Sequence, residues 1–192
     1  MTDLHARIHE AELAVRTAQE ELRKLRAEIQ PEEVANHVFS GPGGTTATLS
    51  ELFDGRSDLI LIHNMGRSCP YCTLWADEFN GVLAHLENRA AFVVTSPDSP
   101  QVQAEFAKSR GWRFKMVSIE GSEIAQELGF YSDDGDHRGY MPGVSTFQRD
   151  EEGRVTRVSH ASFGPGDGYC GVWHLFALLK NGVDGWNPKF QY

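Results

Sequence analysis

Two cysteines separated by two residues form the part of the sequence best suited to covalent chemistry. They lie in the hexapeptide RSCPYC, residues 67–72, which follows a continuous apolar run and opens a helical pattern. A thiol at a helix N-terminus faces unpaired backbone N–H groups and the positive end of the helix dipole, and both lower its pKa. We therefore predict that Cys69 is a nucleophile. Cys72 lies one helical turn later, where it can attack a mixed disulfide on Cys69 and release the reduced substrate.

The residues beside and between the two cysteines are predicted to support this exchange. Pro70 suits the first helical turn because its missing N–H is not needed there. The Arg67 guanidinium could lower the pKa of Cys69 further, and extension of that side chain into solvent is the open alternative. We expect Arg67, Pro70 and Tyr71 to contact the substrate.

A zinc site is one alternative use of the two cysteines. The C-x-x-C spacing supplies half of a tetrahedral site, and Cys170 with His174 could supply the other half. A C-x-x-C between a strand and a helix is more typical of redox proteins, so we expect no metal. Cys170 is either an inert buried residue, which we favour, or an additional redox thiol. Nothing resembles a Gly-rich dinucleotide loop, so we expect no built-in flavin or nicotinamide cofactor.

Apolar runs and helical patterns alternate around the dithiol. Strands are predicted at 58–63, 91–95 and 114–119, with helices over 74–86 and 100–110 between them. Strand, helix and strand in that order predict a parallel central sheet in an α/β fold.

Turn residues mark the remaining elements. A β-hairpin over 38–49 is predicted at a sheet edge, and a second hairpin over 143–159. Short helices are predicted over 121–129 and 169–179. The acidic loop 132–139 lacks the ligand spacing of a calcium loop, which favours a solvated turn.

The first thirty residues form a segment of their own, predicted to be one long helix that ends before Pro31. Apolar residues recur there at alternating steps of four and three: Leu4, Ile8, Ala11, Val15, Ala18, Leu22, Leu25 and Ile29. This heptad pattern divides the chain into an amphipathic helix, 1–30, and a domain, 31–192. The apolar face either pairs with a second copy in a homodimer or packs on its own domain.

The charge of the chain restricts its partners. The 192 residues include 18 Lys and Arg against 27 Asp and Glu, and the formal net charge of −9 opposes nucleic acid and anionic membranes. The polar first residues do not resemble a signal peptide, and no window is apolar enough to span a membrane. Three cysteines are too few for a disulfide-stapled domain, so we expect a reducing cytoplasm.

A proline before a later strand completes a resemblance to a known fold. Met141-Pro142 precedes the strand that begins at Gly143, and together with CPYC after a buried strand this resembles the thioredoxin superfamily. The resemblance implies a cis Met141–Pro142 bond opposite the dithiol, with the backbone around Met141 and Pro142 positioning the substrate. It also implies a thioredoxin-like central sheet flanked by helices, to which this chain adds an N-terminal hairpin and the long N-terminal helix.

A narrower resemblance covers nearly the whole chain. The segments LIHNMG (61–66), CPYCTLWADEFN (69–80), Gly111-Trp112 and PGVS (142–145) resemble a bacterial thioredoxin-like family, first known as a domain of unknown function and described as predicted dithiol-disulfide oxidoreductases. This implies a disulfide-containing substrate and a separate thiol reductant. Residues 163–168 and Cys170 match no family role.

Peroxiredoxins resemble the chain in having a hairpin before the first central strand, so peroxide reduction is the nearest enzymatic alternative. In that family a Thr precedes the reactive Cys by three residues and helps to bind peroxide, whereas Gly66 stands there in this chain. A second cysteine three residues later favours disulfide exchange. His63, at the end of a buried strand, is predicted to be hydrogen-bonded structure rather than a catalytic acid or base.

Overall fold

The computed structural model describes residues 2–134 and 138–192, beginning with one long helix, α1 (Thr2–Ala27). Ten strands follow: β1 (Glu32–Glu33), β2 (Val38–Ser40), β3 (Thr46–Thr48), β4 (Asp58–His63), β5 (Ala91–Ser96), β6 (Lys115–Ser118), β7 (Tyr131–Ser132), β8 (Gly139–Tyr140), β9 (Gly143–Arg149) and β10 (Val155–Ser162). The later helices are α2 (Pro70–Arg89), α3 (Pro100–Arg110), α4 (Ile124–Glu127) and α5 (Gly171–Phe176), with short 3-10 helices at Pro42–Gly44 and Leu49–Phe53.

Eight of these strands form one mixed sheet in the order β1-β10-β9-β4-β5-β6-β2-β3. The centre is parallel, since β4 pairs with β5 and β5 with β6 in the same direction, and α2 and α3 make the crossovers. On one side β9, β10 and β1 add antiparallel strands, and on the other side the β2–β3 hairpin forms the edge. The predicted α/β fold, with its parallel centre and N-terminal edge hairpin, is therefore confirmed.

Strand β4 contributes side chains to two hydrophobic cores, one on each face of the sheet. Leu59 and Leu61 point into one hydrophobic core, whereas Ile62 belongs to the core on the opposite face. The side chains of a strand alternate between faces, so only an unbroken apolar run can serve two cores. Ile60 is half-buried, and it lines an apolar groove of about 320 Å³ on the second face.

A loop connects the end of β4 to helix α2, and the start of α2 places the dithiol at the carboxyl edge of the parallel strands. Trp75, Ala76 and Leu83 of α2 are buried against the second core. The loop between β4 and α2 is tied to the next strand by a hydrogen bond from Asn64 N–H to the Thr95 carbonyl at 2.9 Å. Ligands of open α/β sheets bind at this edge.

Helix α1 leaves its apolar side chains in solvent. Leu4, Ile8, Val15, Leu22 and Leu25 are each 46–59% exposed, so in this structure the heptad face does not pack on the domain that follows it. The helix ends at Ala27, three residues before the end of the predicted segment at residue 30. None of the helices in the described residues is both long and apolar enough to cross a membrane.

Two predicted helices are shorter in the structure. The helix predicted over 169–179 is only Gly171–Phe176, and the one predicted over 121–129 is a single turn, α4. Leu175, Leu178 and Leu179 are 58–83% exposed, so little burial is available to extend α5. In the acidic loop predicted as a solvated turn, residues 135–137 lie outside the described residues.

Candidate active site

Cys69 is the N-cap residue of α2. Its backbone is extended, with φ −98° and ψ 107°, and its Sγ accepts a hydrogen bond from the backbone N–H of Cys72 at 3.1 Å. The N–H groups of a first helical turn have no partner within the helix, and here a sulfur atom accepts one of them. Pro70 occupies the first helical position, as predicted. The Cys69 carbonyl accepts from the Thr73 hydroxyl at 3.0 Å and from the Thr73 N–H at 3.1 Å, which continues the helix.

The environment lowers the pKa of Cys69 to about 7. The largest cause is the hydrogen bond donated by the Cys72 thiol, joined by the backbone N–H groups of Cys72 and Tyr71, and burial opposes them. The lowered pKa increases the share of thiolate, the nucleophilic form, near neutral pH. The same contact raises the pKa of Cys72, since that thiol must keep its proton to donate, and burial adds to the effect.

The two thiols differ in access as well as in charge. Cys69 is 8% exposed and Cys72 is 2% exposed, so Cys69 is the more accessible of the two thiols. The Met65 N–H lies 3.5 Å from the Cys72 Sγ. The arrangement places a slightly exposed thiolate beside a more deeply buried thiol, which suits attack by the first and resolution by the second.

Gly66 shapes the loop before the dithiol. Its φ is +101°, which favours glycine, and a Cβ there would lie 2.9 Å from the Asp98 carboxylate. Asp98 Oδ2 accepts a hydrogen bond from the Arg67 N–H at 2.7 Å. The Arg67 side chain is exposed, and the hydrogen bonds that lower the pKa of Cys69 come from other residues. Sequence reasoning missed Asp98, because no pattern near the dithiol indicates contact with a carboxylate that lies 31 residues after Arg67.

The Met141–Pro142 bond is trans, so the cis bond implied by the resemblance to thioredoxins is wrong for this structure. Trans is the lower-energy form of an X–Pro bond by about 0.5–1 kcal/mol, and a proline before a strand removes no ladder hydrogen bond. The Pro142 carbonyl instead accepts from the Phe163 N–H at 3.0 Å, and the Met141 N–H donates to the Phe130 carbonyl at 2.9 Å.

The register of β4 and β9 nevertheless brings this proline to the edge where the dithiol lies. Gly143, next to Pro142, pairs with His63 at the end of β4. Gly143 admits no side chain, because a Cβ would lie 2.2 Å from the Phe130 ring and 2.5 Å from the Ala161 carbonyl. Met141 is 37% exposed at this edge.

His63 is a structural residue, as predicted. It is 4% exposed, its Nε2 lies 2.9 Å from the Ser145 hydroxyl, and its ring stacks on Phe130 at 3.8 Å. Burial, with the nearby charges of Arg157 and His160, lowers the pKa of His63 to about 3. The ring is therefore neutral at physiological pH.

Cys170 is fully buried in the same core as the dithiol. Burial, together with the neighbouring Glu78 carboxylate, raises the pKa of Cys170 to about 12, which favours the inert role over that of an additional redox thiol. Within residues 2–134 and 138–192, no group of three or more His, Cys, Asp and Glu side chains could hold a metal ion. The structure therefore does not assemble the Cys69, Cys72, Cys170 and His174 zinc site.

The C-terminal segment reaches the dithiol through Tyr71. The Tyr71 hydroxyl donates to Asn187 Oδ1 at 2.6 Å, and its ring stacks on Trp173 with centroids 6.0 Å apart. Trp186 packs edge-on against Trp173 at 5.9 Å. Sequence reasoning missed these three contacts of the site, and the only signal was the concentration of aromatic residues after residue 160.

The sequence as a whole matches one family model, described as "bacterial protein of unknown function (DUF899)", over residues 3–189. The chain belongs to the DUF899 family. No curated protein is similar to this DUF899 member at a significant level.

Solved structures similar to this DUF899 member include several peroxiredoxins. A peroxidoxin, BcpB, from Mycobacterium tuberculosis is 23% identical, with 69% of this chain and 84% of that chain covered and a TM-score of 0.55. A cysteine-to-serine mutant of PrxQ from Xylella fastidiosa is 22% identical, with 71% and 87% covered and a TM-score of 0.57. Reduced Prx3 from Vibrio vulnificus, in complex with hydrogen peroxide, is 15% identical, with 72% and 90% covered and a TM-score of 0.57. At these identities the similarity establishes a thioredoxin-like fold of the peroxiredoxin type.

Proposed function

We propose that the chain is a thiol–disulfide oxidoreductase in which Cys69 attacks and Cys72 resolves. The observation that carries the proposal is the position of Cys72 against the Cys69 sulfur: its backbone N–H donates to that sulfur at 3.1 Å, and its thiol lowers the pKa of Cys69. This position favours a thiolate at the attacking sulfur near neutral pH and keeps the resolving sulfur protonated beside it.

The exchange proceeds in two displacements. The Cys69 thiolate attacks one sulfur of the substrate disulfide, the substrate S–S bond breaks, and the released sulfur leaves as a thiolate that takes up a proton. Cys72 then loses its proton and attacks the Cys69 Sγ, which releases the second substrate thiol and leaves a Cys69–Cys72 disulfide. A separate thiol reductant must supply two electrons and two protons to regenerate the dithiol.

The residues around the thiolate are assigned to substrate binding. Met141 and Pro142 stand at the sheet edge that the dithiol occupies, and the exposed Arg67 side chain lies beside it. Pro70 and Tyr71 form the rest of the first turn of α2. A reducing cytoplasm would supply the reductant, and the proposed location of the protein is therefore the cytoplasm.

Substitution of each cysteine tests the assignment. Cys69→Ser should abolish dithiol-dependent disulfide reduction, whereas Cys72→Ser should accumulate a mixed disulfide with substrate, visible as a mass increase that dithiothreitol reverses. Cys170→Ser is the matched control and should retain activity. Turnover that persists in the Cys69→Ser variant would overturn the assignment.

Peroxide reduction is a second candidate function, favoured by the similarity to peroxiredoxin structures. The same thiolate would attack one oxygen of the peroxide, which breaks the O–O bond, gives a sulfenic acid on Cys69 and releases the other oxygen as hydroxide or alkoxide that takes up a proton. Cys72 would then attack the Cys69 sulfur, form the disulfide and release water. Gly66 argues against it, because no hydroxyl stands three residues before Cys69. Second-order rate constants of the reduced protein with hydrogen peroxide and with a disulfide decide between the two functions.

A homodimer through α1 is part of the proposal. Its heptad residues are exposed along one face, where a second copy of the helix would cover them.

A further inference from the structure

A cavity of about 490 Å³ lies beside Tyr71, between α2 and the C-terminal segment. We propose that this cavity binds an aromatic or other flat apolar group of the substrate whose disulfide reacts at Cys69. The inference rests on the proposed function, since it names the class of substrate for that same thiolate. The lining of the cavity includes Tyr71, Trp173, His174, Ala177, Trp186 and Asn187.

Three aromatic rings give the cavity its character. Tyr71 and Trp173 are nearly parallel, at 26° between planes and 6.0 Å between centroids, and Trp186 meets Trp173 edge-on at 68°. Phe176 packs edge-on behind Trp186 at 5.0 Å and holds that ring in place. Faces and edges of fixed aromatic rings favour a flat apolar guest, which can stack on one ring and meet the edge of another.

The polar groups of the cavity are few, and one of them is already engaged. The Asn187 side chain accepts from the Tyr71 hydroxyl at 2.6 Å and donates to the Gly185 carbonyl at 3.0 Å. The other lining side chains with polar atoms are His174, Tyr71 and the two tryptophans, and no Lys or Arg of the described residues lines the cavity. A volume of this size is typical of small-molecule sites, and the lining suits a neutral group rather than an anion.

The cavity lies near the reactive sulfur, because Tyr71 lines it. Tyr71 follows Cys69 by two residues in the same helical turn, and its backbone N–H is one of the groups that lower the pKa of Cys69. In this proposal, a group stacked on the Tyr71 ring keeps its attached disulfide within one helical turn of the thiolate. Binding of this kind raises the rate of attack by holding the reacting atoms together.

The experiment compares one aromatic and one aliphatic disulfide as probes. The Cys69 thiolate breaks the S–S bond of 4,4′-dithiodipyridine and releases pyridine-4-thiol, whose absorbance reports the rate; Cys72 then releases the second equivalent. Bis(2-hydroxyethyl) disulfide undergoes the same two displacements without an aromatic group. The unreactive thioether 4-(methylthio)pyridine measures binding alone by calorimetry.

Two variants change the cavity, one by removing a wall and one by filling the space, and a third variant serves as a control. Trp186→Ala removes a wall, and Ala177→Phe fills the space without removing one. Leu178→Ala changes an exposed apolar residue of the same segment that is 83% exposed and does not line the cavity.

Both cavity variants should lower the rate constant for the aromatic disulfide about tenfold, with less than a roughly twofold change for the aliphatic one. The thioether should bind saturably to the unsubstituted protein and to Leu178→Ala, and more weakly to the two cavity variants. Equal slowing of both disulfides, or no saturable thioether binding by a protein whose Cys69 reacts normally, would overturn the cavity proposal. Saturable thioether binding without reaction of either disulfide would support the cavity and overturn the proposed function.

Discussion

The backbone N–H of Cys72 donates a hydrogen bond to the Sγ of Cys69 over 3.1 Å, so it stabilises a thiolate at Cys69. The Cys72 side chain is the largest cause of the lowered pKa of Cys69. In the proposed function, one residue would thus activate the nucleophile in the reduced state and bond to it in the oxidised state.

The first prediction concerns the pH dependence of Cys69 alkylation. In the unsubstituted protein the rate of reaction with iodoacetamide should rise with a midpoint near pH 7, because the pKa of Cys69 is about 7. Cys72→Ala removes the thiol donor and should move the midpoint upward, by about one unit or more. Cys72→Ser keeps a hydroxyl donor and should move it less. A midpoint that is the same in all three proteins would contradict the role given to the Cys72 thiol.

The second prediction concerns Gly66, whose φ of +101° and contact with Asp98 leave no room for a side chain. Gly66→Ala should lower the free energy of unfolding by about 2 kcal/mol, since a left-handed conformation alone costs an L-residue roughly 1–2 kcal/mol. Urea denaturation measures the change. Gly66→Thr should not increase peroxide reduction, because the strained backbone displaces the added hydroxyl.

Gly81 provides the matched control for this glycine. It lies within α2, and a Cβ there would have no heavy atom within 4 Å. Gly81→Ala should therefore stabilise the protein by up to about 1 kcal/mol, the opposite sign to Gly66→Ala. Destabilisation of similar size by both substitutions would contradict the argument from the geometry of Gly66.

Local patterns were sufficient to predict the centre of the fold and the dithiol. The apolar run of β4 and the following helical pattern are each encoded in one stretch of chain, and Cys69 takes its low pKa from groups within that stretch. The heptad positions of α1 likewise follow from spacing alone.

Contacts between distant segments could not be predicted in this way. Asp98 meets the loop before the dithiol from 31 residues away, and Asn187 meets Tyr71 from 116 residues away. A cis Met141–Pro142 bond was predicted from a family resemblance rather than from the surrounding residues, and the bond in the structure is trans. The C-terminal helix is shorter than its periodicity predicts, because the structure leaves several of its apolar residues exposed.

The third prediction concerns stability in acid. Burial holds the pKa of His63 at about 3 in the folded protein, whereas the unfolded chain has the ordinary value of about 6.5. Below pH 6.5 the unfolded state therefore binds a proton that the folded state does not. This group's contribution to stability is fully present above pH 6.5 and is lost as pH falls toward 3, by on the order of a few kcal/mol.

Urea denaturation between pH 7 and pH 4 measures this dependence. His63→Gln should flatten the loss of stability over that range, whatever its stability at neutral pH. His85→Gln, a matched change at an exposed position of α2, should leave the slope unchanged. Ser145→Ala removes the hydrogen-bond partner of His63 and should lower stability at neutral pH while keeping the slope. An unchanged slope in His63→Gln would show that other groups cause the acid sensitivity.

The fourth prediction concerns the heptad face of α1, which is exposed in the single chain. Val15 is one of the heptad residues of α1, which a partner helix would bury, and Thr17 lies two residues further on, outside that apolar row. Val15→Asp places an unpaired charge in that interface and should convert a dimer to a monomer, as measured by light scattering during gel filtration. Thr17→Asp introduces the same charge outside the interface and should leave the dimer intact. A monomeric unsubstituted protein at micromolar concentration, or equal effects of both variants, would rule out pairing through this face.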